Sequence, residues 1–230
     1  MRVTAISDVH GDRPKLKGGD LLIFAGDMTS RDKPSQYDDF LLWMEKQDYK
    51  KKVMIAGNHD NLFQTAASSF FKYIEKLGID YLCDSGTEYE GYKIWGSPWT
   101  RWFHGVNPDC TAFMLRSEFD LVDKFEKIPY NTDILISHGP CYMRLDRTIY
   151  GDYAGCEALR RQVDYLRGNK LKYHFHGHIH EAYGEHEEGG LKTYNVARMD
   201  RSYRPVNRIL NIEIEDKYVK REEKVDSRGD

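Results

Sequence analysis

A chain of 230 residues with 40% hydrophobic and 31% charged residues is long enough for one ordinary α/β domain, and this composition excludes a disordered or fibrous chain. The formal net charge of −3 excludes a general attraction to nucleic acid or anionic membrane, and no apolar stretch approaches the length of a membrane span. Cys83, Cys110, Cys141 and Cys156 form no CxxC pair, which argues against a structural zinc site or a secreted disulfide scaffold and for reduced thiols in a cytoplasm.

The first predicted element is a strand over Arg2–Ser7 that runs straight into Asp8, so no signal peptide is expected ahead of it. A second strand over Asp20–Ala25 contains the unbroken apolar run Leu21–Phe24, the pattern of a strand buried on both faces. Pro34-Ser35 opens a helix whose Tyr37, Phe40, Leu41 and Met44 fall at i, i+3, i+4 and i+7. A strand over Lys52–Ala56 follows. Phe70, Ile74 and Leu77 then repeat the helical spacing before Gly78 stops it. Strands are expected over Tyr92–Gly96 and Asp133–Ser137, with helices near Thr111–Glu126 and Gly155–Arg167. Lys172–His176, Leu191–Val196 and Asn207–Ile214 complete the strands. The first half alternates strand and helix while the later part has adjacent strands. This predicts an α/β fold, a four-layer α/β/β/α sandwich of two mixed sheets flanked by helices. One domain over 1–215 is expected, with a charged, flexible tail over 216–230.

Polar residues gather where these strands end. Asp8-Val-His10 places a carboxylate and an imidazole two residues apart, on one side of an extended chain, so both can grip one cation. Gly26-Asp27 ends the second strand, its glycine permitting a tight exit. Gly57-Asn58-His59-Asp60 offers an amide, an imidazole and a carboxylate in succession. Ser137-His138-Gly139 and Gly177-His178-Ile179-His180 follow. Any one of these alone reads more readily as a polar turn. All five in one chain, each ending a predicted strand, point to donors that converge on folding into a dinuclear metal site. Water between two such metals becomes a nucleophile for phosphate esters.

The ordered set Asp-x-His, Gly-Asp, Gly-Asn-His-Asp, His and Gly-His-x-His resembles the calcineurin-like metallophosphoesterase superfamily, over Asp8 to His180. Val53–His59, Tyr92–Phe103, Thr132–Pro140 and His180–Gly184 are similar to its metallophosphoesterase-domain-containing (MPPED-type) branch, which hydrolyses phosphodiesters including cyclic nucleotides. The resemblance implies that Asp8, His10, Asp27 and His180 hold one metal. Asp27 would bridge to a second, held also by Asn58, His138 and His178. His59 would stay off the metals and face the scissile phosphate. Vertebrate relatives of this branch can carry Gly where this chain has His178, so a fully occupied pair of metals is implied here. Without thiolate, these ligands suit two divalent ions, with Mn favoured and Fe, Ni, Co or Zn as alternatives. Two such ions, less the charges of Asp8, Asp27 and a bridging hydroxide, leave about one positive charge to face a singly charged diester. His59, if protonated, would donate to the departing alkoxide. Asp60 would either orient that imidazole or cap the following helix.

The loop Gly96–Gly105 concentrates aromatics, and Trp99, Arg101 and Trp102 are candidates for stacking a nucleobase and steadying a phosphate. The alternative is that Trp99 and Trp102 fill core. Arg144 is a further candidate for the phosphate, against a role in salt bridging. His174 and His176 read as structural or supporting residues, and Cys141 as a small buried hydrophobe. The predicted partner is thus a small-molecule phosphodiester, with nucleic acid disfavoured by the acidic balance. A phosphomonoesterase, a nuclease and a non-catalytic metal-stabilised binding protein remain as alternatives.

Overall fold

The computed structural model describes residues 1–103, 108–215 and 217. His104 and Gly105 of the aromatic loop and the expected tail, apart from Lys217, lie outside the described residues. In chain order the elements begin with β1 (Arg2–Ile6), β2 (Gly19–Ala25), α1 (Pro34–Glu45), β3 (Tyr49–Ile55), α2 (Asn61–Thr65) and α3 (Ser68–Lys76). Then come β4 (Asp80–Tyr81), β5 (Ser85–Tyr89), β6 (Tyr92–Ser97), β7 (Thr100–Arg101), β8 (Met114–Leu115) and α4 (Glu118–Phe125). The chain continues with β9 (Ile134–Ser137), α5 (Glu157–Arg167), β10 (Tyr173–His176) and a short 3₁₀ turn at His180–Ala182. It closes with β11 (Gly184–Glu188), β12 (Leu191–Asn195) and β13 (Leu210–Glu213).

Two sheets carry the molecule. The first has strand order β13-β1-β2-β3-β4, parallel except for the antiparallel edge β13. The second has order β11-β12-β10-β9-β6-β5, parallel in its centre with antiparallel edges. Alternation along β2 explains the stacking. Leu21, Ile23 and Ala25 face the second sheet and meet Ile94, Ile134, Ile136 and Phe175 in one core cluster. Leu22 and Phe24 face the other way, against Tyr37, Phe40, Leu41 and Met44 of α1. Beyond the second sheet, Leu121 and Phe125 of α4 and Leu159, Val163 and Leu166 of α5 cover its outer face. The order is helices, sheet, sheet, helices.

One predicted helix shortens. The expectation over Thr111–Glu126 resolves into β8 and an eight-residue α4, because Ser117 caps the helix by accepting from the Asp120 N–H. Upstream, Ala112 and Phe113 are drawn into the core under α1. Among the described residues, no helix is long and apolar enough to cross a membrane.

Candidate metal centre

Parallel strands deliver their carboxyl ends to one edge of a sheet, where loops can converge on a ligand. Asp8 follows β1, Asp27 follows β2, Asn58 and His59 follow β3, His138 follows β9, and His178 and His180 follow β10. The first sheet thus supplies donors from β1, β2 and β3 and the second from β9 and β10, and they meet at the seam between the sheets. The backbone is held out of its ordinary range to do this. Asp8, His10, Asp27 and His178 all have positive φ, between 42° and 69°, a conformation that L-residues enter at a cost and that clusters at functional sites. Close approach is secured by glycine. A Cβ at Gly57 would strike the Asp27 carboxylate, and one at Gly177 would strike that of Asp8.

Around Asp27 the polar atoms crowd together. Its Oδ1 lies 3.3 Å from His138 Nε2, and its Oδ2 lies 3.7 Å from His10 Nε2 and 4.0 Å from His59 Nε2. Asp8 Oδ1 is 3.3 Å from His180 Nε2, which is itself 3.3 Å from His10 Nε2. On the other side Asn58 Oδ1 is 3.0 Å from His138 Nε2 and 2.9 Å from His178 Nδ1. The Asn58 amide nitrogen donates to the Cys110 carbonyl, which turns its oxygen inward. All seven predicted ligands therefore come together in two overlapping groups, with Asp27 between them.

The residues present fit divalent cations. Backbone carbonyls hold three of the imidazoles by their Nδ1: Thr29 for His10, Ala25 for His138 and Asp200 for His180. Each Nε2 lone pair is thereby directed inward at carboxylate and amide oxygens, an arrangement that calls for a cation. Three trios, Asp8–His10–His180, His10–Asp27–His59 and Asp8–Asp27–His138, have ligand atoms within 4.8 Å of one another.

Electrostatics in the metal-free chain follow from burial and proximity. Burial alone would raise the Asp8 carboxyl, but hydrogen bonding and charge from His180 hold it at about 2. Burial would likewise raise Asp27, yet His138 and His59 keep it well below the usual carboxylate range. Burial would lower His138, but Asp27 lifts it to about 9. His180 is raised by Asp8 against its own burial. His10 and His178, with less carboxylate help, are pressed down by burial to about 4 and about 3.

Asp60 takes neither of the two roles offered by the sequence. Its carboxylate accepts from the backbone N–H groups of Gly57, Asp27, Met28 and Thr29, at 2.8 to 3.3 Å. It clasps the Asp27 loop from behind, and its side chain makes no cap bond to α2. Burial and the Asp27 charge push this carboxyl above its ordinary range, while the N–H groups of Gly57 and Met28 pull it back toward the carboxylate that accepts from them. The His59 imidazole leans instead on the Ser30 carbonyl, 3.3 Å from Nδ1.

Above the donors opens a cleft of about 490 Å³, lined by Asp27, Asn58, His59, His178 and His180 at its base. Its walls come from Phe103, from Ile149 and Tyr150, and from Arg201, Ser202 and Tyr203. None of the four predicted substrate residues lines it. Trp99 packs against Phe113, donates through Nε1 to Asp84 at 2.8 Å and lies under the Lys124 ammonium. Arg101 sits exposed in the short β7–β8 pair, and the Arg116 guanidinium covers the Trp102 ring at 3.5 Å. Arg144 is 1% exposed and bound to Asp164 and Glu188, both at 2.6 Å, on the outer side of the second sheet. The wall residues 200–203 had one readable signal, since they too follow a strand, β12, at the same edge.

Comparison with known proteins points to one family. Residues 1–182 match the calcineurin-like phosphoesterase family. Metallophosphoesterase domain-containing protein 1 of Homo sapiens is 32% identical over 237 residues, covering 93% of this chain and 71% of that protein. The protein TT1561 of Thermus thermophilus has a similar fold, with a TM-score of 0.60 at 11% identity over 93% of this chain and 99% of that one. A putative 5′-nucleotidase from Staphylococcus aureus overlays with a TM-score of 0.52 at 11% identity, over 97% of this chain and 58% of that one. Five strand-end motifs that converge on one donor cluster, and a family match that spans all of them, place this chain in the calcineurin-like phosphoesterase family of metal-dependent phosphoester hydrolases.

Proposed function

We propose that the chain is a phosphodiesterase for small diesters, cyclic nucleotides foremost, working in the cytoplasm with two divalent ions, of which Mn is favoured. The cleft carries this reading. About 490 Å³ of space directly over the donor cluster, walled by Phe103, Tyr150 and Tyr203, suits one nucleotide-sized molecule rather than a polymer lying across the surface. Among the described lining residues Arg201 is the one Lys or Arg, and the lining also carries the carboxylate of Glu181. A monoanionic diester therefore fits the wall charge better than a dianionic monoester.

Asp8, His10, Asp27 and His180 would hold one ion, and Asn58, His138 and His178 the other, with Asp27 shared. Ions there would supply Lewis-acid charge and an activated water. The protein's own groups do the rest. Carbonyls of Ala25, Thr29 and Asp200 fix the imidazoles in one tautomer. Asp60 fixes the loop that aims Asp27. His59, 6% exposed at the base of the cleft and 4.0 Å from Asp27, would hold a proton for the oxygen that leaves phosphorus.

The test is a panel with Mn-loaded protein: bis-p-nitrophenyl phosphate, p-nitrophenyl phosphate, 2′,3′- and 3′,5′-cyclic nucleotides, and single-stranded DNA. Turnover of the small diesters is expected to exceed that of the monoester and the DNA. Preference for the monoester would move the reading to a phosphomonoesterase, and silence on every compound with both sites filled would leave a binding protein.

A further inference from the structure

Resting on the phosphodiesterase reading, we infer that Tyr203 is the specificity-determining residue of this cleft, contacting the group that leaves phosphorus. The tyrosyl ring stands against three imidazoles at once, edge-to-face with His10 and His180 and tilted to His59. Its centroid is 4.9 Å from that of His10, 5.0 Å from His180 and 6.4 Å from His59. One part of the ring is thus seated on the donor cluster, while 49% of the residue stays exposed and the residue lines the cleft.

The chain goes to some length to put it there. Tyr203 has a φ of 57°, unusual for a bulky residue and strained by its Cβ. The Asp200 carboxylate holds that conformation, accepting from the Ser202 N–H at 2.8 Å, the Arg204 N–H at 3.0 Å and Arg204 Nε at 2.8 Å. Asn207 ties the flanks by donating to the Ala197 and Met199 carbonyls. A turn this well fastened displays one side chain, and no hydrogen bond engages the Tyr203 hydroxyl among the described residues.

A second ring, against the other donor group, shows why this decides specificity. Phe103 stands edge-on to His178 at 4.9 Å, beside the second donor group. A diester seated over Asp27 therefore presents one ester arm toward Phe103 and the other toward Tyr203. His59 lies on the Tyr203 side, 4.5 Å from His10 by ring centroids. The oxygen that takes the His59 proton belongs to the arm facing Tyr203, so this ring meets the leaving group and Phe103 meets the retained one. A nucleobase or other planar group on the leaving arm is what a half-exposed phenol ring recognises.

Regiochemistry reads this directly. Hydrolysis of 2′,3′-cyclic AMP releases either the 2′- or the 3′-oxygen, and the base must sit differently for each. Tyr203→Ala and Tyr203→Phe would be compared with the wild type, all Mn-loaded and checked by elemental analysis for metal content. Tyr203→Ala is expected to keep its metals, raise KM for 2′,3′-cyclic AMP about ten-fold and change the ratio of 2′-AMP to 3′-AMP several-fold. Tyr203→Phe should keep the wild-type ratio. Inhibition constants separate this from the parent reading, because contact with the esterified group predicts that Tyr203→Ala weakens adenosine monophosphates and spares inorganic phosphate. An unchanged ratio and KM, equal loss of AMP and inorganic phosphate, or loss of metal would each overturn the inference. Loss of metal would make the ring a support for His10 and His180. If the wild type cleaves no diester, the parent reading fails, and dissociation constants of AMP and inorganic phosphate, measured by calorimetry, decide whether Tyr203 contacts the esterified group.

Discussion

A carboxylate with four backbone N–H groups on it is a fastener, and Asp60 is the residue that makes the Asp27 loop rigid. Asp60→Asn would set an amide N–H₂ against those donors, leaving at least one buried N–H unsatisfied at about 1–3 kcal/mol. The expected result is a lower Tm together with weaker metal binding, since Asp27 loses its aim. Were Asp60 to act by orienting His59, the same variant would keep its metals and lose only turnover; metal titration by calorimetry distinguishes the two. His59 itself should behave in the opposite way. His59→Ala is expected to keep both metals and lose about a hundred- to ten-thousand-fold in kcat on diesters with poor leaving groups, the range for a positioned proton donor. The deficit should shrink for bis-p-nitrophenyl phosphate, whose leaving group needs no proton. Equal activity on the cyclic nucleotides would remove His59 from the reaction.

At the level of elements, the motifs that close a strand were legible and the loops between were not. Asp8, Asp27, Asn58 and His138 could be read because each closes a strand that is a near-continuous apolar run, and polar residues just past such a run sit at the edge where loops gather. The same logic failed for Arg144. It follows His138 closely in sequence, yet the turn between them carries it to the far side of the second sheet, where Asp164 of α5 and Glu188 of β11 bracket its guanidinium. Local spacing holds no record of which face a turn will choose. Trp99 failed for a related reason: an aromatic after a strand end fits a cleft or a core equally, and Phe113, arriving from a distant loop, settled it for the core. Arg144→Leu is accordingly a stability variant. Asp164 and Glu188 are 35% and 42% exposed and can rehydrate, so its cost should be about 1–3 kcal/mol, less than for a fully buried pair. Denaturant titration should show that loss with KM unchanged, and a raised KM with normal stability would return Arg144 to the substrate.

Across the whole molecule the metal centre is a joint between two sheets. Asp8, Asp27 and Asn58 come from the first and His138, His178 and His180 from the second, so bound ions would stitch the layers and raise stability by mass action, by about 4 kcal/mol when the free metal is a thousand times its Kd. Chelation should lower Tm, by about 2–4 °C for each kcal/mol in a chain of this size. The pH dependence has a definite sign. His138 is raised in the folded, metal-free chain from an ordinary value near 6.5 to about 9, and His180 is raised as well. A group whose folded pKa is raised stabilises fully below its unfolded pKa, and that contribution is lost as pH climbs through the folded one. The chelated protein should therefore weaken between about pH 6.5 and 9. Metal binding runs the other way, because the same protons must leave before the Nε2 atoms can act as ligands, so affinity strengthens over that interval. The gap in Tm between metal-loaded and chelated protein should widen as pH rises from 6.5 to 9, and calorimetry in buffers of different ionisation enthalpy should register proton release on loading at pH 7. A gap that stays flat or narrows would mean that His138 and His180 are not the groups displaced by the ions.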